Sequence, residues 1–265
     1  MGRLTRKIRD GLALFGFDAA KAARSARWMP RYLAQRRAFA AAQSAEPYDF
    51  PVTRLFPVLG EHLETAGDAA GHYFHQDLHV ARRIFALAPA RHVDVGSRID
   101  GFVAHVAAFR AIEVVDIRPL STTARNIVFL TADLQDPAAA AGIGQADSVS
   151  CLHAVEHFGL GRYGDPLDVD GHLRGIRNVA GLVAPGGRLH LSVPIGPQRV
   201  EFNAHRVFAA STIPEILADR FALDQVSYVD DAGDFHEDVP FDPAAAARSF
   251  GCRYGCGIYE FRRRA

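Results

Sequence analysis

Three cysteines in 265 residues, Cys151, Cys252 and Cys256, are too few and odd in number for a disulfide framework. A reducing compartment is the simpler expectation. Cys252 and Cys256 have no second pair to complete a metal knuckle, so they read as half-buried strand residues and no metal site is assigned. No stretch approaches the roughly 20 apolar residues that a membrane span requires. The run LALFGF at 12–17 is short for a signal-peptide core and is followed by Asp18. Arg6 stands where N-myristoylation wants serine or threonine. A cytoplasmic protein is expected, with no nucleic-acid partner. Lysine is nearly absent, with only Lys7 and Lys21, a compositional bias to which no function is attached.

The net charge of zero hides an asymmetry. Residues 1–40 hold ten Arg and Lys against Asp10 and Asp18, a balance of +8 that the rest of the chain cancels. Leu4, Ile8, Leu12 and Phe15 fall on one helical face, with Arg3, Arg6, Lys7 and Arg9 mostly around it. Asp18 can cap a second helix, and Pro30 marks a break or a new first turn. Such an arm suits an anionic membrane surface, or equally packing against the main domain or a second subunit of a homodimer. SAEPYDFP at 44–51 reads as a linker, giving an extension over 1–48 and a domain over 49–265. A domain of about 200 residues buries roughly 70% of its unfolded surface and needs no staples.

Beyond residue 72 the pattern alternates helices with short apolar runs. YFHQDLHVARRIFALAP predicts a helix ending before Pro89. Strand-like runs follow at 92–96, 112–117, 127–133, 147–153, 188–194, 223–230 and 254–264. The first five are rich in Val, Ile and Leu with too few polar positions for a one-sided sheet, which implies a parallel sheet covered by helices on both faces. FVAHVAAFR and HLRGIRNVAGLV are candidate crossovers. The fold class is α/β: a Rossmann-like, doubly wound, mostly parallel seven-stranded sheet with an N-terminal helical extension.

In such sheets ligands bind beyond the carboxyl ends of the strands, beside strand one. The loop there reads Gly96-Ser97-Arg98-Ile99-Asp100-Gly101, without the middle glycine that lets a backbone approach a diphosphate. Asp94, two residues earlier, would repel phosphate and suits an ammonium group; a plain turn cap is its bland alternative. Asp116 follows Gly96 by twenty residues at the end of the second strand, where an acid can accept both ribose hydroxyls. Asp133 closes the third strand, placed for an adenine amino group with Leu134 beneath the ring. Pro185-Gly186-Gly187 predicts a tight turn into the fifth strand.

The order VDVGSRIDGF, VVDIRPL, TADL, DSVSCLHAVEHFGLGRYGDP and LVAPGGRLHLSVPIGPQRVEFNAHRVF resembles the class I S-adenosylmethionine-dependent methyltransferases over roughly residues 72–240. Within them it looks like a bacterial family of unknown function often met beside sugar and polysaccharide genes. The resemblance implies methyl transfer from S-adenosylmethionine. It places Asp94, Gly96, Ser97 and Gly101 at the methionine moiety, Asp116 at the ribose and Asp133 with Leu134 at the adenine; His153 joins the cofactor side. The loop departs from the common D-x-G-x-G-x-G in carrying Arg98 and Asp100.

Three polar loops, 153–166, 194–208 and 230–240, follow strands four, five and six and should reach one rim. Their His, Asp, Glu, Arg and Gly content suits an oxygen-rich acceptor such as a sugar or glycan. Methyl transfer to a hydroxyl benefits from a base near the operating pH, worth roughly 10²–10⁴-fold. His157 is the first candidate, then His205 and Asp165, with Glu156 orienting; Arg162, Arg199 and Arg206 are candidate clamps. For each histidine a structural role weighs as much as catalysis, and for each arginine a solvated surface position is the alternative. His153-Ala154-Val155-Glu156-His157 also matches the inverted zinc-peptidase motif, but that motif needs a helix and His153 falls at a strand end. A looser metal site, joining His157 or His205 to Asp230, Asp231, Asp234 or His236, has no spacing to direct it. A non-catalytic cofactor- or glycan-binding protein on the same scaffold is the second reading.

Overall fold

The computed structural model describes residues 11–13, 15–45 and 50–265. The expected first helical face at Leu4 and Ile8, with Arg3, Arg6, Lys7 and Arg9, lies outside the described residues. Two compact units divide the chain between Asp68 and Ala69.

In the first unit, helix α1 (Ala19–Ala45) starts as expected from Asp18, whose Oδ1 accepts the Lys21 amide at 2.9 Å. It runs straight through Pro30, where a break or restart was expected. Residues 50–68 belong with this helix rather than with the sheet. Gln43 donates to the Phe50 carbonyl, Arg24 pairs with Glu64, and Trp28 meets His62 edge-on at 4.5 Å. Trp28 lies within 5.6 Å of the Arg27 guanidinium and 5.9 Å of that of Arg31. No helix among the described residues is long and apolar enough to cross a membrane.

The second unit is a three-layer α/β structure. Its main sheet has the order β3-β2-β1-β4-β5-β10-β8-β9. The strands are β1 (His92–Val95), β2 (Ile112–Asp116), β3 (Ile127–Thr131), β4 (Ala146–Leu152), β5 (Val183–Ile195), β8 (Phe221–Val229), β9 (Phe235–His236) and β10 (Gly255–Arg263). β6 (Arg199–Glu201) and β7 (His205–Val207) make a separate ribbon. The first five main-sheet strands pair in parallel, and β10 runs antiparallel to both neighbours. β1 therefore sits at the switch point, with chain leaving in both directions across the sheet. All seven expected strands are present. The short β6, β7 and β9 escaped the sequence because two- or three-residue strands carry no periodicity. Pro185-Gly186-Gly187 is not a turn before the strand but a bulge within β5, where the register to β4 slips between Ala146 and Ser148.

Helix α2 (Gly71–Leu87) ends as expected before Pro89, with Ala88 in the left-handed region. With α3 (Ala104–Ala107) it covers one sheet face over Ile84, Phe102, Val114, Leu152 and Ile258. α4 (Pro137–Ile143), α5 (Gly171–Gly181) and α6 (Thr212–Leu217) cover the other, over Val93, Val149, Leu189, Leu191 and Phe261. α7 (Pro243–Ala247) adds Ala246 to that core. The two faces are not equally apolar. Beside the α2–α3 core runs a buried polar rib: His92 bonds Ser148 and Ser150, Asp94 accepts from Ser150, and Ser192 donates to Gln76. Such a rib is tolerated because nearly every member finds a partner.

Candidate active site

Beyond the carboxyl ends of β1, β2 and β4 opens a crevice with two adjoining halves. The first is a narrow slot of about 60 Å³ and is mostly apolar, with Val115, Ala132, Leu134, Ala154 and Phe158 in its wall. The second is larger, about 610 Å³, and Tyr73, His153, His157, Arg162, His205 and Tyr254 face it. Gly96, Asp116, Arg118, His153, His157 and Tyr163 border both.

The strand ends place the expected acids unequally. Asp116, the last residue of β2, and Asp133, just past β3, line the first half beside Leu134. Asp133 accepts the Gln135 amide at 2.8 Å, a local turn that holds its carboxylate at the rim. Asp116 is held in a fork by Arg118, which donates from its amide, Nε and Nη2 at 2.8–3.0 Å. The same guanidinium lies 4.4 Å over the Tyr163 ring and bridges strand and loop. Arg118 was missed, though its position two residues after an acid at a strand end is the signal that could have found it.

Asp94 is placed elsewhere than expected. It is fully buried, accepts from Ser97 Oγ and Ser150 Oγ at 2.6 Å and from the Ser97 amide at 3.2 Å, and borders neither half. Burial, partly opposed by those hydrogen bonds, raises its pKa to about 6. Its task is to brace the loop, which is the capping role that competed with ammonium binding. Successive side chains of β1 alternate between the two covered faces of the sheet, and Asp94 falls with His92 on the face of the buried rib. Gly101 likewise packs against Asp77 and does not border the crevice. Gly96 does: its φ is +71°, and a Cβ there would stand 2.8 Å from that of Ala154. The glycine is required at that position. Ser97 faces the second half through its loop while its hydroxyl bonds Asp94.

Of the base candidates, His157 has the best geometry. Its Nδ1 lies 2.6 Å from the Ala204 carbonyl. A carbonyl only accepts, so Nδ1 carries the proton and Nε2 keeps its lone pair. Burial lowers its pKa, which favours the neutral ring. Arg162 donates to the same carbonyl at 2.8 Å, and Tyr163 meets the imidazole edge-on. Glu156 is buried, with Oε1 2.8 Å from His153 Nδ1 and 3.7 Å from His157 Nε2. Burial works against its charge, yet the adjacent His153 leaves its pKa below the usual range. Glu156 therefore stands as an anion between the two histidines. His205 borders the second half, with Nε2 3.5 Å from Glu201 and its pKa lowered by burial.

Asp165 lines the first half and organises its loop. Its carboxylate takes the amides of Gly159, Gly161 and Tyr163, three of about four acceptor positions. Arg206 is buried and donates to the carbonyls of Glu156, Phe158, Asp168 and Val169, clamping the same loop from behind. Arg199 bonds Glu201 and two carbonyls away from the crevice. Only Arg162 among the three arginines faces it.

Two of the three polar loops converge. The loop at 230–240 contributes no lining residue; it closes a β8–β9 hairpin in which Asp230 holds His236 at 2.8 Å. Tyr73 and Tyr254 arrive instead, from α2 and from the approach to β10. The inverted zinc-peptidase reading lacks its helix, since β4 ends at Leu152 and His153 has φ +51°.

Residues 140–230 match the family described as Caenorhabditis protein of unknown function, DUF268. No curated protein matches the chain. Among solved structures, the N-methyltransferase NodS of Bradyrhizobium japonicum with S-adenosyl-L-homocysteine aligns over 74% of this chain and 89% of its own, at 15% identity and TM-score 0.47. The 1,6-didemethyltoxoflavin-N1-methyltransferase of Burkholderia thailandensis aligns over 72% and 79%, at 16% identity and TM-score 0.48. A SAM-dependent methyltransferase of Anabaena variabilis aligns over 73% and 86%, at 11% identity and TM-score 0.47.

Proposed function

We propose that the second unit is an S-adenosylmethionine-dependent methyltransferase acting on an oxygen of a small, hydroxyl-rich acceptor such as a sugar or glycan unit. One observation carries the reading: two strand-tip carboxylates flank an apolar slot that opens directly onto an imidazole with a free Nε2. Asp116 would accept the ribose hydroxyls, Asp133 the adenine amino group, and Leu134 would underlie the ring. Gly96 and Ser97 would pass beside the methionine part. The donor set fits a nucleoside without phosphate, because the loop offers one crevice-facing glycine and no cradle of amides. When bound, the cofactor supplies a methyl group on a cationic sulfur.

The chain supplies position, dryness and a proton acceptor. Tyr73 and Tyr254 present aromatic walls, and Arg162 a cation, to an acceptor in the second half. The acceptor hydroxyl would pass its proton to His157 Nε2, with Nδ1–H anchored on Ala204 and Glu156 steadying the charge that the ring takes up. Isothermal titration with S-adenosylhomocysteine, followed by transfer from labelled S-adenosylmethionine to a panel of polyols and glycosides, tests the reading.

The hold of Arg118 on Asp116 favours a second reading, a binding protein whose ribose acid is already satisfied. No heat of binding at millimolar S-adenosylhomocysteine would select it. Residues 1–48 are assigned the role of a basic arm that meets anionic lipid or a second copy. Deleting them should lower retention on phosphatidylserine vesicles; unchanged retention removes the lipid role.

A further inference from the structure

The buried polar rib ends in a cluster that the proposed chemistry does not use. His72, in the first turn of α2, His153, just past β4, and Cys256, in β10, bring one nitrogen each and Sγ within 4.8 Å of one another. The residues are distant in sequence and no spacing links them. His153 is the informative member. Its Nδ1 faces the Glu156 carboxylate at 2.8 Å, and a carboxylate only accepts, so Nδ1 carries a proton and Nε2 is the nitrogen left to meet a metal. The side chain is 4% exposed, and Nε2 has no hydrogen-bond partner. A buried imidazole whose far nitrogen is fixed by a carboxylate and whose near nitrogen faces a cysteine and a second imidazole is the arrangement metal-binding histidines adopt. Cys256 is fully buried and in no disulfide, and its thiol makes long contacts to Gln76 Oε1 at 3.7 Å and to the Gly257 carbonyl at 3.8 Å. The His72 ring stacks parallel to that of His153 at 5.4 Å, with Tyr254 on it at the same distance.

We propose that His72, His153 and Cys256 bind a single zinc-type divalent ion, oriented by Glu156. Two imidazoles and a thiolate select a borderline-soft ion and offer nothing to calcium or magnesium. Tetrahedral bonds of about 2.0–2.3 Å need ligand atoms roughly 3.3–3.7 Å apart, so closing the cluster takes a movement of about 1 Å. Binding converts the Cys256 thiol to thiolate and releases its proton to solvent. Three protein ligands leave one position for solvent or a bound molecule, the pattern of reactive rather than purely structural zinc sites. His153 borders the crevice, so that position adjoins its polar half. The site differs from the inverted peptidase motif, because His157 is committed to Ala204 and takes no part. It stands whether or not methyl transfer occurs.

The test uses the full chain, stripped with a chelator and titrated with Zn²⁺ against a chromophoric competitor, then with Co²⁺ under an absorption spectrometer. One ion per chain is expected, with one proton released and a cobalt spectrum containing a thiolate-to-metal charge-transfer band and intense visible bands. His72→Ala and Cys256→Ser should each weaken Zn²⁺ by more than about 100-fold, and Glu156→Gln by about 10–100-fold. Cys252→Ser and His157→Ala should leave the affinity unchanged. His72 is half-buried in a first helical turn, so His72→Ala keeps the test valid if Cys256→Ser fails to fold. No uptake by the stripped chain, uptake that survives His72→Ala, or a cobalt spectrum without the thiolate band would each overturn the site.

Discussion

In the apolar half of the crevice the two acids assigned to the cofactor stand within two residues of a strand end, Asp116 closing β2 and Asp133 following β3, with His157, Tyr163 and Asp165 of one loop completing the wall. In the polar half the lining comes mostly from loops and from residues as far apart in the chain as Tyr73, His157, His205 and Tyr254. The acids of the first half are positioned by the sheet itself. The second depends on buried braces: Asp165 gathering three amides, Arg206 gathering four carbonyls, and Asp94 tying the first loop to β4. Recognition of a fixed cofactor suits rigid strand tips, whereas acceptor choice suits loops that can change without disturbing the sheet.

The sharpest way to separate the halves is His157→Ala. Turnover should fall by about 10²–10⁴-fold while S-adenosylhomocysteine affinity stays within a factor of about two. Burial lowers the pKa of His157, so the neutral base is available at neutral pH and the rate should fall only below the usual histidine range. Equal losses in turnover and affinity would make His157 a structural part of both halves.

Asp94 tests the bracing. Its pKa is raised to about 6 by burial, above the usual aspartate range. The folded state therefore holds this proton more tightly than the unfolded state. Its contribution to stability is complete only below the ordinary aspartate range and is lost as pH rises through 6. Asp94→Asn removes the titration. Between pH 4 and 7 the stability difference should move by about 2 kcal/mol in favour of the variant, measured by urea unfolding at both pH values. Parallel pH curves for the two proteins would mean that Asp94 is not a buried charge.

These residues also mark where the sequence could be read. The seven strands, the helix before Pro89, Asp116, Asp133 and Leu134 were legible because each depends on a local period or a strand end. Asp94 was misplaced because alternation along β1 turned it inward, toward serines 56 residues away. Asp165 and Arg206 have the composition of site residues and the contacts of loop supports; only the fold distinguishes the two. Tyr73 and Tyr254 carried no local signal, and Arg118 carried one that depends on knowing Asp116 ends a strand.

Asp116→Ala breaks the other half. Losing a charge-assisted acceptor of two hydroxyls should weaken S-adenosylhomocysteine by about 10–100-fold, with little change in turnover at saturating cofactor. Asp116 is half-buried at a strand tip, outside the packed core, and its exposed partner Arg118 can return to solvent, so the melting temperature should hold. Unchanged affinity would mean that Arg118 keeps Asp116 closed in the bound state too, and the ribose site would have to be sought elsewhere.

The smallest contrast is between two arginines that composition cannot tell apart. Arg162 faces the polar half and shares the Ala204 carbonyl with His157, whereas Arg199 is tied to Glu201 and the carbonyls of Pro197 and Arg253 outside it. Arg162→Ala should raise the acceptor KM by about tenfold, the loss of one charged contact. Arg199→Ala should stay within about twofold in every kinetic constant, as surface substitutions do. If Arg199→Ala proved the more damaging, the acceptor would approach along the β6–β7 ribbon, and the polar half described above would be an antechamber rather than the place of reaction.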